Sequence, residues 1–343
     1  MLKKILVSLA AVLLMAVLAL AGVLYVAFLG PSATTRDVLT LSCLETSAAK
    51  FVPRIYLSAA TVAEIVAKNS VAETDDITDP SLVTPFKPPP PLQPGESAPP
   101  SETPPEGDEW ADYPDGIRLE YVKGDRYRGY VLLIRDPSRV YTATSSDFRG
   151  DAPGLRITEA YQIEGAVVAV NGGGFPDAGG IGDGNIPKGL VFSKGVHLWG
   201  SENTVYSSVV GFDSNNVLVV GNMSPATAKK MGIRDAVCFG PTLVKNGEPA
   251  SIQGSGSGLN PRTAIGQRAD GTVILLCVDG RMPSSMGASY GDLIDIMMQF
   301  SAVNASNLDG GTSTVMIYNG EQVNVRSSLY NPRRMPTFIM VRP

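Results

Sequence analysis

The chain has 343 residues, of which 44% are hydrophobic and 18% charged, so it is long and apolar enough to bury a substantial core. Its formal net charge is −5 and it has no strongly basic region, which argues against nucleic-acid binding. The single histidine argues against a Ser-His-Asp triad or a histidine-rich metal centre. Three cysteines are too few for a disulfide framework, and Cys238 and Cys277 are predicted to be buried thiols because they lie in apolar runs.

The first predicted element is an apolar helix at the N-terminus. Lys3 and Lys4 precede an uncharged run that extends from residue 5 to residue 29. At about 1.5 Å per residue this run spans roughly 38 Å, more than the ~30 Å hydrocarbon core of a bilayer. Residues 1–30 are therefore predicted to form an uncleaved signal anchor with the remainder of the chain outside the cytoplasm. A signal peptide cleaved near Ala19–Ala21 is the alternative.

Two segments of different character follow the apolar helix. Residues 31–77 are predicted to form a helical stalk, in which Ser58 caps a helix over Ala59–Lys68. The stalk either packs near the membrane or a partner, or serves only as a spacer. Residues 78–109 include ten prolines between Pro85 and Pro105 together with acidic side chains, so they are predicted to form an extended, semi-rigid tether.

Residues 110–343 are predicted to form one α+β domain, with a mixed β-sheet and few flanking helices. One helix is expected over Tyr290–Phe300, whose apolar residues recur at helical spacing. His197 lies between hydrophobic residues in a predicted hairpin. The expected strands are continuous apolar runs typical of strands buried on both faces: 129–134, 165–170, 217–220, 272–278, 314–318 and 337–341.

Four polar or glycine-rich turns at predicted strand ends carry the candidate chemistry: Asn171–Phe175, Asn260–Gly266, Val278–Arg281 and Asn307–Thr314. Each turn taken alone is consistent with an ordinary strand-to-loop transition. Taken together, they have the chemistry of a phosphate and sugar site. Consecutive glycines can form an anion-binding concavity from their N–H groups, and the hydroxyls of residues 312–314 would lie beside it.

The charged side chains of these turns fit the same interpretation. Arg262 and Arg281 have the planar guanidinium groups that grip a phosphate with two hydrogen bonds. Asp279 and Asp309 are a candidate carboxylate pair for glycosidic cleavage. The combination favours a sugar phosphate or phosphodiester over a nucleotide, because no GxxxxGK[ST] or GxGxxG motif is present.

These motifs resemble the phosphodiester glycosidase family. The resemblance extends from about Arg118 to Pro343 and includes three further segments: Pro187–Leu190, Phe239–Gly247 and Asn331–Pro336. It implies a hydrolase whose catalytic residues are Asp309, Asp279 and Arg262. It also implies that the substrate is contacted by Asn171, Gly172, Gly173, Lys188, Thr263, Arg281, Gly310, Gly311, Thr312 and Ser313.

Two positions depart from the family pattern. A third glycine, Gly174, precedes Phe175 where the family usually has two aromatic residues after two glycines. Thr312 follows Gly310 and Gly311 where the family usually has a third glycine. A Cβ at Thr312 would change substrate preference or weaken activity if the substrate approaches the backbone there.

The expected function is hydrolysis of the glycosidic bond of sugar-1-phosphodiesters in cell-envelope or exopolysaccharide material. The alternatives are a non-catalytic module that binds envelope glycans and a membrane-anchored assembly protein that acts through its stalk. No cofactor is required by these motifs. The loop Asp177–Asn185 is a candidate for binding Ca²⁺ through oxygen ligands, with a plain flexible loop as the alternative.

Overall fold

The computed structural model describes residues 2–72, 74–86, 108–177, 182–325, 327 and 332–343. Within these ranges the α-helices are α1 (Leu2–Leu29), α2 (Ala33–Leu44), α3 (Pro53–Tyr56), α4 (Ala59–Lys68), α5 (Ile157–Glu164), α6 (Pro225–Lys230) and α7 (Tyr290–Gln299). The strands up to the middle of the domain are β1 (Ile117–Lys123), β2 (Arg128–Ile134), β3 (Val140–Thr144), β4 (Leu155–Arg156), β5 (Val168–Asn171), β6 (Val191–Ser193), β7 (Val196–Trp199), β8 (Tyr206–Asp213), β9 (Leu218–Met223) and β10 (Ile233–Cys238). The later strands are β11 (Thr242–Lys245), β12 (Glu248–Pro249), β13 (Arg262–Arg268), β14 (Val273–Val278), β15 (Ala302–Leu308), β16 (Met316–Tyr318), β17 (Glu321–Gln322), β18 (Arg334–Met335) and β19 (Thr337–Val341).

Three sheets and a two-stranded ribbon build the domain. The strand orders are β1-β2-β14-β13-β15-β11-β12, β7-β6-β10-β8-β9 and β17-β16-β5-β19-β3, and β18 pairs with β4. The expected α+β class is confirmed. Every strand pair within the described residues is antiparallel, so several antiparallel sheets replace the single mixed sheet that was expected.

The apolar strands are buried on both faces even though they are antiparallel. One face of the seven-stranded sheet contributes Leu275, Ile265 and Leu308 to a core shared with the other two large sheets. Its opposite face packs Leu276 and Ala264 against α7. This double coverage explains why these strands have no alternation of apolar and polar residues.

Two local predictions have clear outcomes. The helix expected over Tyr290–Phe300 is confirmed as α7, and Ser289 forms a capping box with Asp292 at its N-terminus. The strand expected over 165–170 begins later, at Val168, because Gly165 adopts a left-handed conformation that ends α5.

The histidine packs against a neighbouring aromatic ring, and two of the cysteines are buried in the core. His197 lies in the predicted hairpin, where its ring stacks on Phe192 with ring centroids 5.0 Å apart. Cys238 and Cys277 are buried free thiols, as predicted. Burial raises the pKa of each thiol to about 12, so both remain protonated at neutral pH.

The N-terminal helix α1 is the one helix of the described residues that is long and apolar enough to cross a membrane. Its side chains are exposed along most of its length, whereas Phe28 at its end is buried and stacks on Tyr56 with ring centroids 5.0 Å apart. The end of α1 is therefore packed against α3 and α2, which hold it beside the rest of the chain.

The region predicted to form the helical stalk has contacts with the globular domain. The predicted helix with its Ser58 cap is confirmed as α4, but Val71 forms a β-bridge with Ile252 of the domain. Thr78, the first residue of the predicted tether, is buried and its N–H donates to the Val220 carbonyl at 3.1 Å. Residues 87–107, which hold most of the prolines, lie outside the described residues.

Candidate functional site

Three neighbouring strands bring the predicted charged residues to one end of the seven-stranded sheet. Strand β13 lies between β14 and β15, with Arg262 opposite Val278 and Thr263 opposite Leu308. Asp279 and Asp309 directly follow those partner strands, so both emerge at the same sheet end as Arg262. Their Cα atoms are separated by two interstrand spacings, about 9–10 Å across the strands, and by one residue along them.

Asn171, at the end of β5, forms hydrogen bonds that hold the backbone at this end of the sheet. Its buried side-chain oxygen accepts hydrogen bonds from the Thr263 hydroxyl at 2.7 Å and from the Val315 N–H at 3.2 Å. Its Nδ2 donates to the backbone oxygen of Asp309 at 2.5 Å. Asn171 and Thr263 therefore connect β5, β13 and the loop after β15, and they fix the backbone that carries Asp309.

The glycines after Asn171 serve close packing. The Gly172 N–H donates to the Thr337 carbonyl and the Gly173 N–H to the Thr337 hydroxyl, both at 3.0 Å. The Gly174 N–H donates to the Cys238 carbonyl at 2.9 Å. These three N–H groups are already engaged within the protein, so the anion-binding concavity expected from the glycine run is not formed by them.

Replacement of Gly172 by alanine is expected to destabilise the fold. A Cβ at Gly172 would lie 2.6 Å from the Thr337 hydroxyl and 2.8 Å from its backbone carbonyl. We expect Gly172→Ala to lower the free energy of unfolding by about 1–3 kcal/mol, measured as a lower Tm. Gly150→Ala is the matched control, because a Cβ there meets no atom within 4 Å. Equal Tm values for the two variants would contradict the packing role.

Asp309 is a carboxyl group with altered acidity. Burial raises its pKa to about 6, against the lowering effects of the Ser313 hydroxyl and the Arg333 guanidinium. One carboxylate oxygen accepts from the Gly310 N–H at 3.0 Å. A carboxyl group with a pKa near 6 exchanges a proton close to neutral pH, as an acid, base or nucleophile in catalysis requires.

Asp279 faces different partners. Its carboxylate accepts from the Val325 N–H at 2.9 Å, and burial raises its pKa. Its backbone carbonyl accepts from the Ser285 hydroxyl at 2.7 Å. The described contacts thus tie Asp279 to the 324–325 segment, while Asp309 is bound to its own loop.

Arg333 and Asp177 belong to the Asp309 environment, although the sequence gives Arg333 no role and suggests for Asp177 only a part in the candidate Ca²⁺ loop. Asp177 receives two contacts from the Arg333 guanidinium, at 2.8 and 2.9 Å. The guanidinium lies over the Phe175 ring at 4.8 Å and also donates to the Thr312 hydroxyl at 3.3 Å. The threonine that departs from the family pattern therefore contacts this arginine. In the sequence, the one feature that could have pointed to Arg333 is its place in the closing motif Asn331–Pro336.

Arg262 and Arg281 form the cationic side of the site. Arg262 is 5% exposed, and its guanidinium lies 4.3 Å over the Tyr290 ring and donates to Ala288, Ser257 and Gly258. Arg281 has a left-handed backbone with φ 60° and donates to the Asn260 side chain at 2.9 Å. Burial and the neighbouring Arg262 charge lower the pKa of Arg281, so an added anion would relieve the repulsion between the two.

A carboxylate from the N-terminal region is bound beside Arg262. Glu45 Oε2 accepts from Arg262 at 2.6 Å and from Asn260 Nδ2 at 2.8 Å, and Glu45 Oε1 accepts from the Gly258 N–H at 3.1 Å. We call the three donors, Gly258 N–H, Asn260 Nδ2 and Arg262, the anion cradle. They have the geometry that a phosphate oxygen would use.

The residues beside Glu45 extend this cover across the sheet end. Thr46 accepts a hydrogen bond from Arg281 at 2.9 Å, and Ser47 donates to Asp177 at 3.1 Å. Ser42, in the last turn of α2, accepts from the Leu259 N–H at 2.8 Å. Residues 42–47, which we call the cover segment, therefore contact Arg262, Arg281 and Asp177.

Three further expectations concern the periphery of the site. Lys188 is exposed and lines a separate cavity of about 280 Å³ with Tyr206 and Phe239. Gly311 has a φ of 62° and donates to Pro261, and its position lies against Arg281. Of the loop that is a candidate for binding Ca²⁺, residues 178–181 lie outside the described residues, and Asp177 forms an ion pair with Arg333. The Ca²⁺ expectation and the predicted substrate contacts remain predictions.

The sequence profile of the phosphodiester glycosidase family matches residues 164–342, more than half of the chain. The chain belongs to this family. The match includes all four strand-end motifs and the Arg333 segment.

Individual relatives agree with the family assignment. The chain is 26% identical over 252 residues to the bovine N-acetylglucosamine-1-phosphodiester alpha-N-acetylglucosaminidase, covering 65% of this chain and 46% of that protein. It is 32% identical over 167 residues to the SPbeta prophage-derived uncharacterized protein YomE of Bacillus subtilis, covering 46% of this chain and 25% of that protein. The chain thus spans less than half the length of these curated relatives.

A solved structure shares the fold. The zebrafish N-acetylglucosamine-1-phosphodiester alpha-N-acetylglucosaminidase catalytic domain, described as auto-inhibited by its pro-peptide, aligns with a TM-score of 0.54 at 20% identity. The alignment covers 66% of this chain and 82% of that structure. At this identity the likeness shows a common fold, in agreement with the α+β architecture described above.

Proposed function

We propose that this chain is a membrane-anchored glycosidase that hydrolyses sugar-1-phosphodiesters of cell-envelope or exopolysaccharide material outside the cytoplasm. Family membership supports a glycosidase, and the exposed apolar surface of α1 behind Lys3 and Lys4 supports the anchor and its orientation. The observation that carries the proposal is the Glu45 carboxylate in the anion cradle, at the same sheet end as Asp309. In the catalytic complex the substrate phosphate would replace this carboxylate.

Asp309 is the proposed catalytic carboxylate. With a pKa of about 6 it is mostly ionised at neutral pH, so it can attack the anomeric carbon or activate a water for that attack. The bond between the anomeric carbon and the phosphate oxygen breaks, and a water supplies the hydroxyl of the released sugar. The phosphate leaves with the bonding electron pair as a phosphomonoester, and Arg262 and Arg281 stabilise its developing charge.

In this proposal Asp279 is a positioning residue that holds neighbouring segments in place through its hydrogen bonds. Its carboxylate holds the Val325 N–H, and its carbonyl holds the Ser285 hydroxyl. It thereby connects the end of β14 to Val325 and to the Ser285 segment, whose next residue, Met286, accepts from the Arg281 N–H. The expectation that Asp279 and Asp309 form a catalytic pair stays a prediction.

The cover segment keeps the site closed in this arrangement. Its carboxylate binds the same donors that the substrate phosphate needs, so the two compete for one position. The zebrafish relative is described as auto-inhibited by its pro-peptide, which supports a comparable closed state here. Opening requires that Glu45 leave the anion cradle.

Turnover of a defined substrate tests the proposed function. The full chain in phospholipid vesicles is incubated with the methyl phosphodiester of N-acetylglucosamine 1-phosphate, and free sugar and methyl phosphate are quantified. We expect both products in equal amounts from the wild type or from a variant in which Glu45 is replaced. Absence of both products from both forms would overturn the proposal.

A non-catalytic glycan-binding module is the second candidate, because the site is covered and Thr312 replaces a glycine usual in the family. It predicts saturable binding of the same diester without release of sugar. An assembly protein that acts through α2 and α4 is less well supported, since residues 42–71 contact the domain itself.

A further inference from the structure

A large cavity lies between α2 and the loop that follows β14. Its volume is about 520 Å³, and its apolar lining consists of Val38, Leu39, Leu259, Met282, Pro283 and Met286. Met286 is 56% exposed, so the cavity is open to the surroundings. A partly open apolar cavity of this size is typical of sites that hold the hydrocarbon part of a ligand.

The charged side chains that line the cavity are all positive. Arg126 and Arg281 line it, and no aspartate or glutamate is among its described lining residues. The Nε of Arg281 is buried and has no hydrogen-bond partner within the described part of the chain. A ligand with an anionic group beside an apolar chain would satisfy both features.

The cavity adjoins the anion cradle. Arg281 donates to Asn260, whose side chain also donates to Glu45 in the cradle. An apolar chain in the cavity would therefore extend from a phosphate bound in the cradle. This places the chain on the leaving-group side of the proposed reaction.

The cavity also lies close to the membrane end of α1. Thr34, one of its lining residues, follows the last residue of α1, Leu29, by only five positions. Five extended residues reach at most about 18 Å. The cavity mouth is therefore within reach of the lipid surface if α1 spans the bilayer.

We propose that this cavity binds the single hydrocarbon chain of a lipid phosphate, so that the substrate is a sugar 1-phosphate esterified to a long-chain alcohol embedded in the membrane. The inference rests on the proposed function and names its substrate class. Hydrolysis between the anomeric carbon and the phosphate oxygen releases the sugar, while the lipid phosphomonoester keeps its chain in the cavity. The bilayer then supplies the substrate and receives the lipid product.

Binding of the lipid product tests the inference without relying on turnover. The probes are decyl phosphate and methyl phosphate, titrated against the full chain in phosphatidylcholine vesicles with the Tm as readout. Each methylene removed from water strengthens binding about fourfold, so a partly buried decyl chain gives at least a tenfold lower Kd than methyl phosphate. Met286→Asp places a charge in the cavity and should reduce this preference at least tenfold.

Met298→Asp is the matched control, since Met298 is 38% exposed on α7 and is not among the cavity lining residues. Decyl phosphate also partitions into vesicles, but that effect is the same for both variants. An equal decyl preference in wild type and Met286→Asp would overturn the inference, as would no preference in the wild type. Hydrolysis of the methyl diester is measured in parallel, so failure of the proposed function is seen separately from failure of lipid binding.

Discussion

Replacement of Asp309 by asparagine is expected to reduce kcat/KM on the sugar phosphodiester by roughly 10³-fold or more, because the variant lacks the carboxylate proposed to attack the anomeric carbon or to activate a water. The amide is nearly isosteric and can still accept from the Gly310 N–H, which Asp309 binds at 3.0 Å. The measurement is steady-state release of free sugar. Asp147→Asn is the control, because Asp147 is an exposed carboxylate paired only with the exposed Arg149. Activity within tenfold of the wild type in a folded Asp309→Asn variant would exclude the catalytic assignment.

The pH dependence gives an independent check on the same residue. If the ionised form of Asp309 is active, kcat/KM of the wild type is half-maximal near pH 6 and falls about tenfold for each further pH unit below it. A profile that stays flat from pH 7 to pH 4.5 would contradict this role.

Stability is expected to move in the opposite direction from activity. The pKa of Asp309 is about 6 in the folded state and 3.8 in its ordinary environment, so folding favours the protonated carboxyl. Its stabilising contribution is present below about pH 4 and is lost as the pH rises through 6. At pH 7 the ionised carboxylate lowers the free energy of unfolding by roughly 3 kcal/mol. Asp309→Asn should therefore have a Tm at pH 7 equal to or above that of the wild type, which separates catalytic loss from unfolding.

Replacement of Glu45 by alanine is expected to lower KM about ten- to hundredfold with little change in kcat. In the proposed closed state the carboxylate of Glu45 competes with the substrate phosphate for Arg262 and Asn260, so the apparent Kd equals the intrinsic Kd divided by the fraction of molecules that are open. The readout is KM for the methyl diester, together with the Kd for methyl phosphate.

Glu64→Ala is the control for this variant, because Glu64 is an exposed glutamate of α4 that pairs with Lys68. It should leave KM unchanged. A rise in KM for Glu45→Ala would mean that Glu45 contributes to substrate binding, and it would contradict the closed-state interpretation. Competition also predicts that the variant binds methyl phosphate more tightly, whereas loss of a substrate contact predicts weaker binding.

Local sequence patterns predicted those site residues that lie at the ends of apolar strands. Arg262, Asp279 and Asp309 each follow or begin an apolar strand, and antiparallel pairing with β13 brings them to one edge. The elevated pKa of Asp309 depends on burial by other elements, which no local pattern contains. The glycines after Asn171 were interpreted as anion donors because their sequence does not reveal that Thr337 already accepts their N–H groups.

The long-range contacts were beyond sequence reasoning. Glu45 and Arg262 are 217 residues apart, and Glu45 lies in a segment whose composition is that of a helical spacer. The pattern of apolar residues in this segment does not indicate that Glu45 pairs with Arg262. The ion pair of Arg333 with Asp177 likewise joins residues from different loops, so the motif that contains Arg333 revealed its position but not its contact.

The placement of β19 has a consequence for biogenesis. This strand, residues 337–341, lies in the interior of its sheet between β5 and β3, and Thr337 fixes the backbone of Gly172 and Gly173. If α1 is the proposed membrane anchor, it reaches the translocation machinery while the region before residue 337 is still being translated, and at that stage the strand-end site cannot be assembled. Non-local strand pairing of this kind is slow to form. Under the proposed anchoring and activity, the site forms only after nearly the whole domain has been translated, and the nascent chain is inactive until then.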